Sequence, residues 1–284
     1  MKDMKKYYRG IVSLIIVLTI ILLTVVAIIF KKERDERRQQ ALVSQSQALA
    51  EMITTVTIPE GYSVTQIAKK LEANEICLKN DFLEYVKNPP SSVLEMLNIE
   101  DTSKKIFALE GYIFPDTYEF YKNDNVENVV MKFVDNFKNK VTDEMYSTAK
   151  NKGYTMDEIV SIASIIQKEA GIKGENENVS SVIFNRLDKS MQIQCDVTIN
   201  YLENYVKPDV DDFLDEYSDN YNTFKCSGIP AGAICNPGLD AINAALNPAN
   251  TDYLFFVTDK NDTSKFYYSS TYQGHLSNCK MAGW

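Results

Sequence analysis

The chain of 284 residues carries 30 Lys and Arg against 39 Asp and Glu, a formal net charge of −9, with 45% hydrophobic and 24% charged residues. This composition excludes a disordered or low-complexity chain, and the length allows one or two domains with a full-sized core. The acidic balance argues against nucleic-acid binding, which needs basic patches against phosphate. The charge is also uneven: residues 1–38 hold nine basic and four acidic side chains, and the remainder is strongly acidic.

The basic residues bracket Ile11 to Phe30, twenty residues without a charge, interrupted only by Ser13, Thr19 and Thr24. As a helix it spans about 30 Å, the thickness of a bilayer core. A cleaved signal peptide would have a shorter apolar run with small residues just after it. Here Lys31 and Lys32 follow at once, which predicts an uncleaved anchor. Lys2, Lys5, Lys6 and Arg9 favour a cytoplasmic tail over 1–10, which places the acidic body outside the cell membrane as a single-pass protein. Residues 31–53 read as a stalk.

A compact α+β body is expected beyond. Thr54 to Ile58 has β-branched alternation and predicts a strand, Pro59-Glu60-Gly61 a turn, and Ser63 the cap of a helix carrying Val64, Ile67, Ala68 and Leu71. A short helix near Asp81 to Val86 follows, so residues 54–90 form a small α/β module closed by Pro89-Pro90. Residues 91–284 make the larger mixed part. Val130, Phe133, Phe137 and Val141 predict one amphipathic helix over Asn125–Lys150. Thr155 to Glu158 is a capping box opening a helix that Gly171 would close. Further helices are expected over about 176–187 and 239–246, then a hairpin from 253–258 and 266–269.

The helix 156–170 carries the sharpest chemical signal. Ile159, Ile162, Ala163, Ile165, Ile166 and Ala170 make a broad apolar face, and Glu169 shares it. Poor solvation and the negative helix end both push such a carboxyl toward its protonated form, as a general acid requires. A glutamate whose head simply reaches solvent fits the same periodicity. Asp196 is one of many candidates for a second carboxylate, and spacing cannot select among them. Five cysteines without a CxxC pair and a single histidine, His275, predict no structural metal. No phosphate-binding glycine loop is present, and no cofactor is expected. Two turn-rich aromatic stretches, Leu109–Phe120 and Tyr221–Gly238, suit either the lining of a sugar cleft or ordinary turns over a core.

At these stretches the chain resembles the YceG-like (MltG) endolytic murein transglycosylases of bacteria. The matching runs lie at 109–120, 162–171, 180–187, 191–201, 221–249 and 253–275, in the family's order. The resemblance implies a non-hydrolytic cut of the β-1,4 bond between N-acetylmuramic acid and N-acetylglucosamine, leaving a 1,6-anhydro end and terminating nascent glycan strands beside cell-wall synthases, the penicillin-binding proteins. It implies Glu169 as the catalytic acid, in a motif that reads Gln167-Lys168-Glu169 where the family has a first Glu. It further implies Glu175, Asn185, Arg186, Gln194, Asp196, Tyr221, Asn222 and Asn236 as substrate-binding or supporting residues, Cys195 in place of a usual Thr, and a LysM-like character for 54–90. Against the family pattern, the module is single and short, and the chain stops soon after His275, where relatives continue with a helix. These departures leave an inactive, membrane-anchored peptidoglycan-binding protein as the alternative.

Overall fold

The computed structural model describes residues 2–171, 174–210 and 215–284. Residues 1–53 and 54–284 are two compact units. The first is essentially one helix, α1 (Lys2–Glu51). Its apolar stretch lies exposed along its length, and the helix is long and apolar enough to cross a membrane. The two threonines inside that stretch satisfy themselves locally: Thr19 Oγ1 donates to the Ile16 carbonyl at 2.8 Å and Thr24 Oγ1 to that of Ile21 at 2.7 Å. A hydroxyl turned onto its own helix leaves no polar group to hydrocarbon.

The second unit is mixed α and β. It opens with β1 (Ile53–Thr57), α2 (Val64–Ala73), α3 (Lys79–Lys87) and α4 (Ser91–Leu97). Ser63 and Gln66 form the capping box of α2, whose buried face is Val64, Ile67, Ala68 and Leu71, as expected. Next come β2 (Thr117–Tyr121), α5 (Val126–Lys140), α6 (Asp143–Asn151), α7 (Met156–Glu169) and α8 (Asn176–Asp188). The short α9 (Val197–Tyr201) continues as a π-turn to Val206 and is followed by α10 (Asp215–Tyr221), α11 (Leu239–Leu246), β3 (Phe255–Thr258), β4 (Phe266–Ser269) and α12 (Tyr272–Met281). The strands form two separate pairs, β1 with β2 and the antiparallel hairpin β3–β4, in which Phe255 faces Ser269. One continuous core runs from Val56 to Leu246, and the 54–90 segment contributes to it.

Two expectations are corrected, and one open alternative is decided. The single helix over Asn125–Lys150 is two, because Val141 and Thr142 are extended (ψ 100° and 162°). Val141 is still buried, so the apolar spacing continues through a break in the backbone. Of the two readings left open for Leu109–Phe120, the structure supports the one over a core. The last residues of the stretch form β2, and Tyr112, Phe114, Tyr118 and Phe120 are core, with Phe133 meeting the rings of Tyr118 at 4.6 Å and Phe120 at 5.5 Å. The helix expected to be lacking after His275 is present, since α12 holds His275 and continues to Met281.

Gly111 explains why the 109–113 turn needs glycine. Its φ is +96°, and a Cβ there would stand 2.5 Å from Val160 Cγ1 and 2.7 Å from Ala233 Cβ. The loop thus presses its backbone onto α7, and Asp157 at the start of that helix binds both the Lys105 ammonium and, at 2.8 Å, the Tyr112 hydroxyl.

Candidate active site

α7 delivers Glu169. The Thr155–Glu158 capping box fixes one end of the helix, and Gly171 closes the other with φ +51°. Nine residues of α7 are buried, while Glu169, the last, is half-buried and lines a cleft of about 380 Å³. Arg186 and, in one stretch, Ile193, Gln194, Asp196 and Val197 line the cleft with it. Phe224, Phe255, Phe256, Tyr272 and His275 supply the aromatic part of the same lining.

Arg186 organises the floor. It is 7% exposed, and its Nε donates to the Leu254 carbonyl at 2.6 Å. Its Nη1 donates to the carbonyls of Gln192 (3.0 Å) and Ile193 (2.8 Å) and to Gln194 Oε1 (3.1 Å). The guanidinium also lies 5.1 Å from the Phe255 ring centre, and His275 stacks on the same ring at 5.2 Å. Burial lowers the His275 pKa from its usual 6.5, and the Arg186 charge pushes the same way. The imidazole is therefore neutral at neutral pH.

Cys195 is a buried neighbour of the catalytic candidate. Burial raises its thiol well above the usual range, and the Glu169 carboxylate, to which the thiol hydrogen-bonds, raises it further. A thiol so held stays protonated and is a poor nucleophile. Its backbone is pinned by Thr223, whose Oγ1 accepts from Cys195 N at 2.9 Å.

Of the nine residues singled out in the sequence, Glu169, Arg186, Gln194 and Asp196 meet at the cleft, and the other five are not part of its lining. Asn185 Nδ2 donates to the carbonyls of Thr251 and Tyr253, each at 2.9 Å, and so holds the entry to β3. Glu175 Oε2 accepts from Asn178 Nδ2 (2.8 Å) and the Tyr268 hydroxyl (3.0 Å), joining α8 to β4. Tyr221 is wholly buried, its hydroxyl accepting from Ile106 N at 3.2 Å, and burial raises its pKa. Asn222 Oδ1 accepts from Phe224 N at 2.9 Å and shapes the turn that presents Phe224.

Asn236 is a buried junction. It accepts from Gly111 N and Ile113 N and donates to the Tyr62 carbonyl and Glu110 Oε1, all within 3.0 Å. Gln167, the departure within the motif, accepts from Gly238 N at 2.9 Å through its Oε1. That contact needs only an acceptor oxygen, which amide and carboxylate both supply. The residues that sequence reasoning missed are Phe224, Phe255, Phe256, Tyr272 and His275. All five lie within the matching runs 221–249 and 253–275, but nothing in their spacing pointed to Glu169.

Taken together, this is an α+β unit with a glutamate-bearing helix end opening on an aromatic-walled cleft. Residues 31–281 match the model of the YceG-like family, and the chain belongs to that family. It is 29% identical over 246 residues to the endolytic murein transglycosylase of Streptococcus pneumoniae (strain D39), an alignment covering 80% of this chain and 44% of that protein. It is 30% identical over 213 residues to the endolytic murein transglycosylase of Bacillus subtilis (strain 168), covering 72% of this chain and 59% of the relative. The chain thus spans about half the length of these curated relatives. A crystal structure of a YceG-like protein from Listeria monocytogenes superposes with a TM-score of 0.66 at 28% identity, covering 79% of this chain and 75% of that one.

Proposed function

We propose that the protein is a membrane-anchored lytic transglycosylase that cuts peptidoglycan glycan strands internally between N-acetylmuramic acid and N-acetylglucosamine. The observation that carries this reading is Glu169 at the C-terminal end of α7, half-buried in the cleft beside neutral His275 and the protonated Cys195 thiol. Protonated Glu169 gives its proton to the glycosidic oxygen as the C1–O bond breaks. The muramyl 6-hydroxyl then closes on C1 and passes its proton to the Glu169 carboxylate, leaving a 1,6-anhydro end and the acid restored. Because the attacking hydroxyl is tethered, effective molarity replaces a positioned water, and a second catalytic carboxylate is not required.

The same reading places the N-terminus in the cytoplasm, with α1 in the membrane and the cleft outside, where nascent strands emerge beside their synthases. The 54–90 segment is assigned a LysM-like role in docking glycan. The names of the relatives support the substrate class, and the length and exposure of the apolar helix support the anchor. The test digests uncrosslinked glycan with the wild type and with Glu169→Gln and weighs the new ends. Wild type should leave ends lighter by one water than hydrolysed ones, and Glu169→Gln should lose about 10²–10⁴-fold in rate with its fold retained. Water-added ends would mean a hydrolase, and full activity in Glu169→Gln would mean a different acid.

A further inference from the structure

Beside Glu169 the cleft carries two groups whose preparation the proton transfer does not require. Gln194 is an exposed cleft residue with φ +58°, a left-handed backbone that residues other than glycine take uncommonly. Its amide orientation is settled by chemistry: Arg186 Nη1 can only donate, so Gln194 Oε1 must face it, at 3.1 Å. The Nε2 group, with two N–H donors, therefore turns away from the guanidinium, and no hydrogen bond from it is present among the described residues. Phe224 is 39% exposed in the same cleft.

The two come from linked segments. Gln194 N donates to the Thr223 carbonyl at 3.1 Å, fully buried Thr223 holds Cys195 N through its hydroxyl, and Asn222 Oδ1 takes Phe224 N at 2.9 Å. These hydrogen bonds thus tie the segment bearing Phe224 to the segment bearing Gln194, and both side chains line the one cleft. A pyranose offers an apolar face to stack on a ring, and an acetamido substituent offers one carbonyl acceptor at its rim.

We propose that Phe224 and Gln194 form a subsite for one N-acetylhexosamine ring adjoining Glu169, with the sugar face on Phe224 and its acetamido carbonyl hydrogen-bonded by Gln194 Nε2. This rests on the reading of the cleft as a glycan site and adds the group by which the sugar is recognised. The left-handed backbone of Gln194 is what aims the donor, and Arg186 is the positioning residue that stops the amide from rotating.

The test measures binding, not turnover, in the full chain carrying Glu169→Gln. The probes are uncrosslinked peptidoglycan strands, the same strands after N-deacetylation, and a portion chemically re-acetylated. The parent should prefer the acetylated and re-acetylated strands by about 2- to 12-fold, the worth of one neutral hydrogen bond. Gln194→Met, which keeps length and removes the donor, should erase that preference without weakening binding of deacetylated strands. Gln194→Glu, which keeps the acceptor for Arg186 and has no N–H, should do the same if the methionine variant fails to fold. Phe224→Ala should weaken all three probes by about 2- to 12-fold, and Phe224→Tyr should restore them.

A preference surviving both Gln194 variants, equal weakening of every probe by them, or parental binding by folded Phe224→Ala overturns the subsite. So does a parent that does not distinguish the probes. Hydrolysed ends from the wild type would instead sink the transglycosylase reaction and leave these binding results standing.

Discussion

Replacing Glu110 by Gln should change how stability depends on pH. Glu110 is 2% exposed, and its carboxylate accepts from Val64 N (3.0 and 3.2 Å), from the Tyr201 hydroxyl (3.0 Å) and from Asn236 Nδ2 (3.0 Å). Burial pushes its pKa up from 4.5 to about 8, although the three donors and the Lys168 charge pull the other way. The folded chain then holds a proton between about pH 4.5 and pH 8 that the unfolded chain has released, so stability falls as pH rises through that window. The slope from this one group is about 1.4 kcal/mol per pH unit, or roughly 4–5 kcal/mol from end to end. In Glu110→Gln one oxygen still serves Val64 N and Asn236, the new NH₂ faces a Tyr201 hydroxyl that can rotate to accept, and nothing titrates. Denaturant unfolding of the detergent-solubilised full chain at about pH 5, 6, 7 and 8 would read the effect. The wild type should lose stability relative to the variant by at least about 2 kcal/mol across that range. Parallel curves for the two proteins would refute the assignment of the buried proton.

Gly111→Ala should destabilise by about 2 kcal/mol or more, since its Cβ meets Val160 and Ala233 at sub-contact distance in a left-handed turn, and a fall in the thermal midpoint checks it. Cys195→Thr should retain most activity on glycan, because a hydroxyl can replace the thiol as donor to Glu169, whereas complete loss with the fold intact would reopen thiol chemistry. The His275 ring, followed by NMR, should titrate below 6.5, and a midpoint above that value would mean that burial and Arg186 do not set its charge.

Local signals made much of the frame legible. The capping boxes at Ser63 and Thr155 mark the starts of α2 and α7, Gly171 marks the end of α7, and the uncharged run Ile11–Phe30 lies within α1. Each depends on residues a few positions apart. The break between α5 and α6 stayed hidden because Val141 keeps the helical spacing of a buried residue while leaving the helix. β2 stayed hidden because its aromatic residues sit among turn formers and only its pairing with β1, some sixty residues earlier, makes it a strand. At the site, the helix face of α7 made Glu169 a candidate but did not separate it from a glutamate that simply reaches solvent, and the family motif was needed to single it out. His275 and Tyr272 reach it only through the hairpin and α12, over a hundred residues later in the chain.

The attachment of that hairpin also bears on how sequence can vary around the cleft. Asn185 and Arg186, adjacent on α8, hold the carbonyls of Thr251, Tyr253 and Leu254, and Arg186 also holds those of Gln192 and Ile193. A carbonyl is common to every amino acid, so the clasp is indifferent to which side chains occupy those five positions. Substitution there can reshape the rim of the cleft while its wall stays where it is, and much of the information that fixes the wall lies on one helix, in Asn185 and Arg186 with Glu175 on Tyr268 beside them. A change at Asn185 or Arg186 should shift the hairpin as a body, whereas changes along the hairpin's own approach should be absorbed singly.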